Sequence, residues 1–164
     1  MNRLRILAIA SAILLVTIFT GAMLFIGVSI IPFWQSLPPS EFPHWFATNA
    51  HFIGNFMIPL GASSLLISII SLILNWRASG RGWLVVTTAA IASTFLVYAF
   101  EHSNLNATLL AGVPMEEAKI TDLIILWRFW HWVRTALGFV ASISTISALK
   151  QISCGIGQET NRIL

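Results

Sequence analysis

The run Trp127-Arg128-Phe129-Trp130-His131-Trp132-Val133-Arg134-Thr135 sets one imidazole and two guanidinium groups inside a segment otherwise apolar enough to lie in a bilayer. A charged side chain at that depth costs on the order of 3 kcal/mol or more, so it faces a polar cavity or a partner. Arg128, His131 and Arg134 follow one another at i, i+3 and i+6, which predicts an imidazole with a guanidinium on either side of its own face. Such an imidazole can take a proton or ligate a metal, and a guanidinium can hold an oxyanion. The plain alternative is that the arginines snorkel, or bond backbone carbonyls, to hold helices together. The chemical reading ranks first because the other three histidines belong to the same side of the membrane as His131.

The elements that position these residues are membrane spans. Of 164 residues, 57% are hydrophobic and only 9% charged, with a mean hydropathy of +0.83. A water-soluble fold of this size cannot hide that much apolar surface. The net charge of +3 is too thin, and too scattered, for nucleic acid. Cys154 is the only cysteine, which excludes an intrachain disulfide and a thiolate metal cluster. Four apolar segments, at about 6–34, 45–76, 83–102 and 122–149, predict one all-α domain over 1–164, an integral membrane four-helix up-down bundle. Pro38-Pro39 breaks the first connection, with Ser40 as the expected cap of the second helix. Residues 103–122 read as a polar connection, within which Pro114-Met115-Glu116-Glu117 can open a helix.

Loop charges give the orientation. Arg3, Arg5, Arg77, Arg81, Lys150 and Arg162 flank the two ends and the second connection. Glu41, Glu101, Glu116, Glu117 and Asp122 belong to the first and third, with only Lys119 against them. The positive-inside rule therefore expects both termini in the cytoplasm.

Depth then sorts the histidines. At about 1.5 Å per residue, His51 lies roughly 9 Å past Trp45, and His131 about 12 Å past Leu123. His102 and Glu101 stand where the third span emerges, and His44 near the start of the second. If the helices close on one another, His51, His102, His131 and Glu101 meet in the outer half, with Asn55 close by. Imidazoles with a carboxylate suit copper, iron or zinc, so a His-ligated copper or iron ion is an expected cofactor. Each histidine also has a bland reading. His44 is a solvated residue at the interface, His102 a helix-end partner, and His51 a packing residue bonded to a neighbouring helix. Glu101 is the expected counter-ion of Arg134, which leaves the Arg128 guanidinium for an anionic or phenolic ligand. Trp127 and Trp130 are candidates to stack on a flat ring.

These motifs resemble a known family. Trp127-x3-His131-x2-Arg134-Thr135 looks like the signature of the anthrone-oxygenase-like small membrane proteins. Asn104-Leu105-Asn106 is similar to the asparagine-containing stretch that follows the family's third span. His51-Phe52-Ile53-Gly54-Asn55-Phe56-Met57-Ile58-Pro59 is similar to its second-span motif, and Gly21-Ala22 fits a small-residue position in the first. The likeness runs from about Thr20 to Ala148. It implies a four-span fold and, as in the fungal members, a monooxygenase that converts anthrones to anthraquinones. It carries His131, Arg134, Asn106 and Trp127 over as functional residues. Asn55 departs from the fungal pattern, which has histidine there; His51 stands one turn earlier on the same face.

Two functions follow as expectations. One is a membrane oxygenase or oxidoreductase for a lipophilic phenol, anthrone or quinol. In it His131, Arg134 and Arg128 are catalytic, and Asn55, Asn106, Trp127 and Trp130 hold the substrate. The other is a protein that binds a lipid or small molecule without turnover, or a structural subunit. A transporter fits less well, for the chain has no internal repeat.

Overall fold

The structure, a computed structural model, describes residues 2–111 and 113–163; of residues 2 and 155–163 only the backbone is described, so the Arg162 side chain lies outside it. Among the described residues, four helices are long and apolar enough to span a membrane: α1 (Arg3–Ser36), α2 (Phe42–Leu74), α3 (Arg81–Leu110) and α4 (Glu117–Cys154). The α4 helix continues to Ile163. At about 1.5 Å per residue, each exceeds the roughly 30 Å hydrocarbon core. No strand occurs among the described residues. The protein is an all-helical, multi-pass integral membrane protein.

The breaks have local causes. Leu37 ends α1 with ψ of 147°, the extended backbone that the ring of Pro38 forces on the residue before it. Ser40 does not cap α2. The Phe42 N–H bonds the Pro38 carbonyl instead (3.3 Å), and Pro43, in the first turn, has no N–H to satisfy. Helix α2 then runs unbroken through Pro59, so the interfacial entry and the span are one element. Helix α3 does not stop near His102 but continues to Leu110. Its polar residues fold back on the helix, Asn104 onto the Phe100 carbonyl (2.8 Å) and Thr108 onto that of Asn104 (3.0 Å). Leu105 and Leu109, one turn apart, supply the buried face.

Each helix packs on the next, and α4 returns to α1, closing a four-sided bundle. Its short connections make neighbours antiparallel. From the middle towards the 75–80 turn the seams are made of hydroxyls. Ser64 donates to the Leu15 carbonyl (3.1 Å), Thr20 meets Ser142 (3.1 Å) and Thr87 meets Thr145 (3.1 Å). Gly138 lets α1 and α4 approach, since a Cβ there would lie 2.8 Å from Thr20 Oγ1. The other half has an aromatic core built on Trp34, Phe42, Phe46 and Trp127. In that half α1 and α3 each contain one wide turn with i→i+5 bonding, at Ile26–Ile30 and Tyr98–His102.

Candidate functional site

A cavity of about 430 Å³ lies in the aromatic half and is walled by all four helices. Ile26 and Trp34 come from α1, His51, Gly54 and Asn55 from α2, Tyr98 and Asn106 from α3, and Trp127, His131 and Arg134 from α4.

His131 is 1% exposed, and its Nε2 lies 2.8 Å from the Met23 carbonyl oxygen. A carbonyl only accepts, so Nε2 carries the hydrogen, and in the neutral ring Nδ1 is a bare lone pair. That Nδ1 has no partner. Trp127, one turn before, stacks on the imidazole with centroids 5.0 Å apart and planes 12° off parallel. Its Nε1 donates to Asn106 Oδ1 at 3.0 Å, which ties α4 to the far end of α3. His102 is fully buried behind this layer, edge-on to Trp127 (4.6 Å) and stacked on Tyr98 (6.3 Å). The Arg134 guanidinium lies over the Tyr98 ring, 5.4 Å from its centroid. Buried and without a hydrogen-bond partner are both His102 nitrogens, His131 Nδ1 and Arg134 Nε. Buried polar atoms are nearly always bonded, so orphans gathered in one place mark where water or a ligand supplies the missing partners.

Six of the residues singled out in the sequence, His51, Asn55, Asn106, Trp127, His131 and Arg134, line this cavity. Arg128 does not. It is exposed, 3.4 Å from Gln35 Oε1. Each three-residue step falls about 60° short of a full turn, so Arg128 and Arg134 diverge by about 120° around α4. Trp130 packs on Phe129 (5.2 Å), away from the cavity. Arg134 is held by Tyr98 rather than by an ion pair with Glu101.

Of the expected metal donors, His102 and His131 lie near each other and His51 stands apart from them. The His102 and His131 centroids are 6.4 Å apart. His51 is exposed on another wall, its ring against Phe52 (3.9 Å). Among the described residues no group of three His, Cys, Asp or Glu side chains is placed to hold an ion. His44 lines a separate cleft with Ser40, Glu41 and Thr48.

Two participants escaped the sequence reading. Tyr98 is the only tyrosine, four residues before His102, and that spacing was a usable signal. The Met23 carbonyl is backbone and leaves no trace in residue types.

Fold and site together define a membrane protein with a ligand-sized, mostly apolar cavity into which an imidazole and a guanidinium are built. The chain belongs to the anthrone oxygenase family, whose family model matches residues 42–144. The match takes in α2, α3 and the cavity-lining part of α4 but not α1, so Met23 lies outside it. No curated protein and no solved structure matches the chain.

Proposed function

We propose that the protein oxidises a flat, lipophilic anthrone, phenol or quinol with molecular oxygen in this cavity. The observation that carries the reading is the contact of His131 Nε2 with the Met23 carbonyl, which leaves Nδ1 as the unpartnered nitrogen of a cavity-lining imidazole. Arg134, whose Nε has no partner among the described residues, stands three residues away in the same wall.

For an anthrone, Nδ1 takes the proton from the acidic ring carbon, and the enolate oxygen that forms is held by Arg134. The carbanion carbon transfers an electron to oxygen and combines with the superoxide to give a peroxide anion, which takes the proton from His131 and becomes the hydroperoxide. Nδ1 then removes the second hydrogen of that carbon as the O–O bond breaks, and hands it to the departing hydroxide, which leaves the anthraquinone and water. Anthrone and one oxygen molecule thus become anthraquinone and one water. The aromatic walls at Trp34 and Trp127 suit a planar ring and exclude water from the carbanion.

The test is quinone formation from 1,8-dihydroxyanthrone by purified protein in nanodiscs, with oxygen uptake followed in parallel. His131→Gln keeps a donor for the Met23 carbonyl but removes the base. Its rate should fall by about 10²- to 10⁴-fold, towards that of empty nanodiscs. Equal rates for the wild type and a folded His131→Gln protein would refute the assignment.

A further inference from the structure

Helices α2 and α3 pack together below the site and again along residues 103–110, and stand apart between, at the Tyr98–His102 turn. The Tyr98–His102 turn packs on α4, and a wide turn bends the helix that contains it. Across the cavity α2 presents Ala47, His51, Asn55 and Ile58, all of them in its wall and all exposed. These four recur at helical spacing along one stripe of α2, so the stripe that walls the cavity is also one that the bundle leaves uncovered. On α3 the lining residue Leu110 is exposed as well, whereas Trp34, Trp127 and His131 on α1 and α4 are buried. The mouth is therefore on the side of the bundle, at the α2–α3 seam. Phe52 and Phe56, 65% and 57% exposed, give this part of α2 an apolar outer face that suits acyl chains rather than water.

Gly54 belongs to that mouth. A Cβ built on it would meet only Ile58 Cδ1, at 4.0 Å. Glycine inside a helix costs about 1 kcal/mol relative to alanine, and no packed neighbour requires it here. Its effect is to leave the opening one side chain wider. Pro59 adds a polar group at the same level: lacking an N–H, it leaves the Asn55 carbonyl without its helical partner, beside the Asn55 amide.

We infer that uncharged hydroxyaromatic ligands enter the cavity sideways from the bilayer, between α2 and α3, and that Gly54 sets the width of ligand admitted. The inference rests on the cavity being the ligand site proposed above. It adds the route and the charge class, since a route through acyl chains excludes ions.

Stopped-flow quenching of tryptophan fluorescence in nanodiscs tests it, with 1,8-dihydroxyanthraquinone and a sulfonated hydroxyanthraquinone as probes. The uncharged probe should bind the wild type and Gly54→Ala at similar rates. Gly54→Phe should slow association at least tenfold without lowering thermal stability. Ala47→Phe, at the same mouth, serves if Gly54→Phe does not fold. The sulfonated probe should associate at least tenfold more slowly with the wild type. Unchanged association in the folded phenylalanine variant, or equal association of the two probes, overturns lateral entry and leaves the cavity assignment standing. A wild type that binds neither probe overturns both.

Discussion

Replacing Arg134 with methionine should end product formation while leaving the fold about as stable as before. The guanidinium lies over Tyr98 at 5.4 Å, an attraction of about 0.5 to 2 kcal/mol. Against it stands a buried Nε with no partner, a penalty of about 1 to 3 kcal/mol. Methionine fills much of the volume and removes both terms, so the net change lies between a loss of about 1 kcal/mol and a gain of about 2.5 kcal/mol. A guanidinium paired with a buried Glu101 would behave otherwise, since stranding the acid costs about 3 to 5 kcal/mol. At roughly 2 to 4 °C per kcal/mol, the two cases are separated by thermal unfolding in detergent. The expected fall is at most about 4 °C, and a pair would show a fall of about 6 °C or more. Quinone formation from the same preparation reads the other half. A fall beyond about 6 °C would make Arg134 a structural brace, and a stable Arg134→Met protein with normal turnover would remove it from the chemistry.

Trp127→Phe keeps the stack on His131 but removes the N–H that Asn106 accepts. It should cost about 1 kcal/mol in unfolding measurements and weaken dihydroxyanthraquinone binding; no change in either would mean that the bond organises nothing. Gly138→Leu should be destabilising by at least about 1 to 3 kcal/mol. The new Cβ falls 2.8 Å from Thr20 Oγ1, which is itself held by the Val16 carbonyl (2.8 Å) and Ser142 (3.1 Å). Wild-type stability of that variant would show that the α1–α4 seam yields easily. A reporter fused after Leu164 should read cytoplasmic, and reporters near Ser40 or Pro114 extracytoplasmic. The opposite pattern would invert the bundle and move the cavity to the cytoplasmic half.

The four spans were legible because hydropathy and the bilayer thickness constrain the same quantity, segment length. The ends were less so. Leu105 and Leu109 extend α3 through a stretch whose asparagines, serine and threonine look like a loop, because those side chains bond carbonyls of their own helix. Depth also brought His102 and His131 to the same level. Azimuth was the weaker coordinate. Spacings of three and six residues placed Arg128 beside His131, and the 60° lag per step carries it out to Gln35. His51 shares the level of the other two imidazoles, yet it is exposed on α2. The Arg134–Glu101 pair was argued from charge alone. Tyr98 holds Arg134 instead, one turn along the same helix from His102.

The wide turns at Ile26–Ile30 and Tyr98–His102 have a consequence for how such a chain can change over time. Each absorbs, in effect, one residue more than an ordinary helical turn holds. Deleting that residue would restore regular bonding and leave the segments on either side facing as they do now, because an ordinary turn then makes the rotation that the wide turn makes with one residue more. In α3, Leu105, Asn106 and Leu109 would keep their faces, and so would the hydroxyl seam at Thr87. The change would be confined to the turn itself, where Tyr98 and His102 stand. Each wide turn is thus a place where the chain can lose one residue without reordering the bundle. Relatives one residue shorter there should keep the cavity walls outside the turn and differ within it.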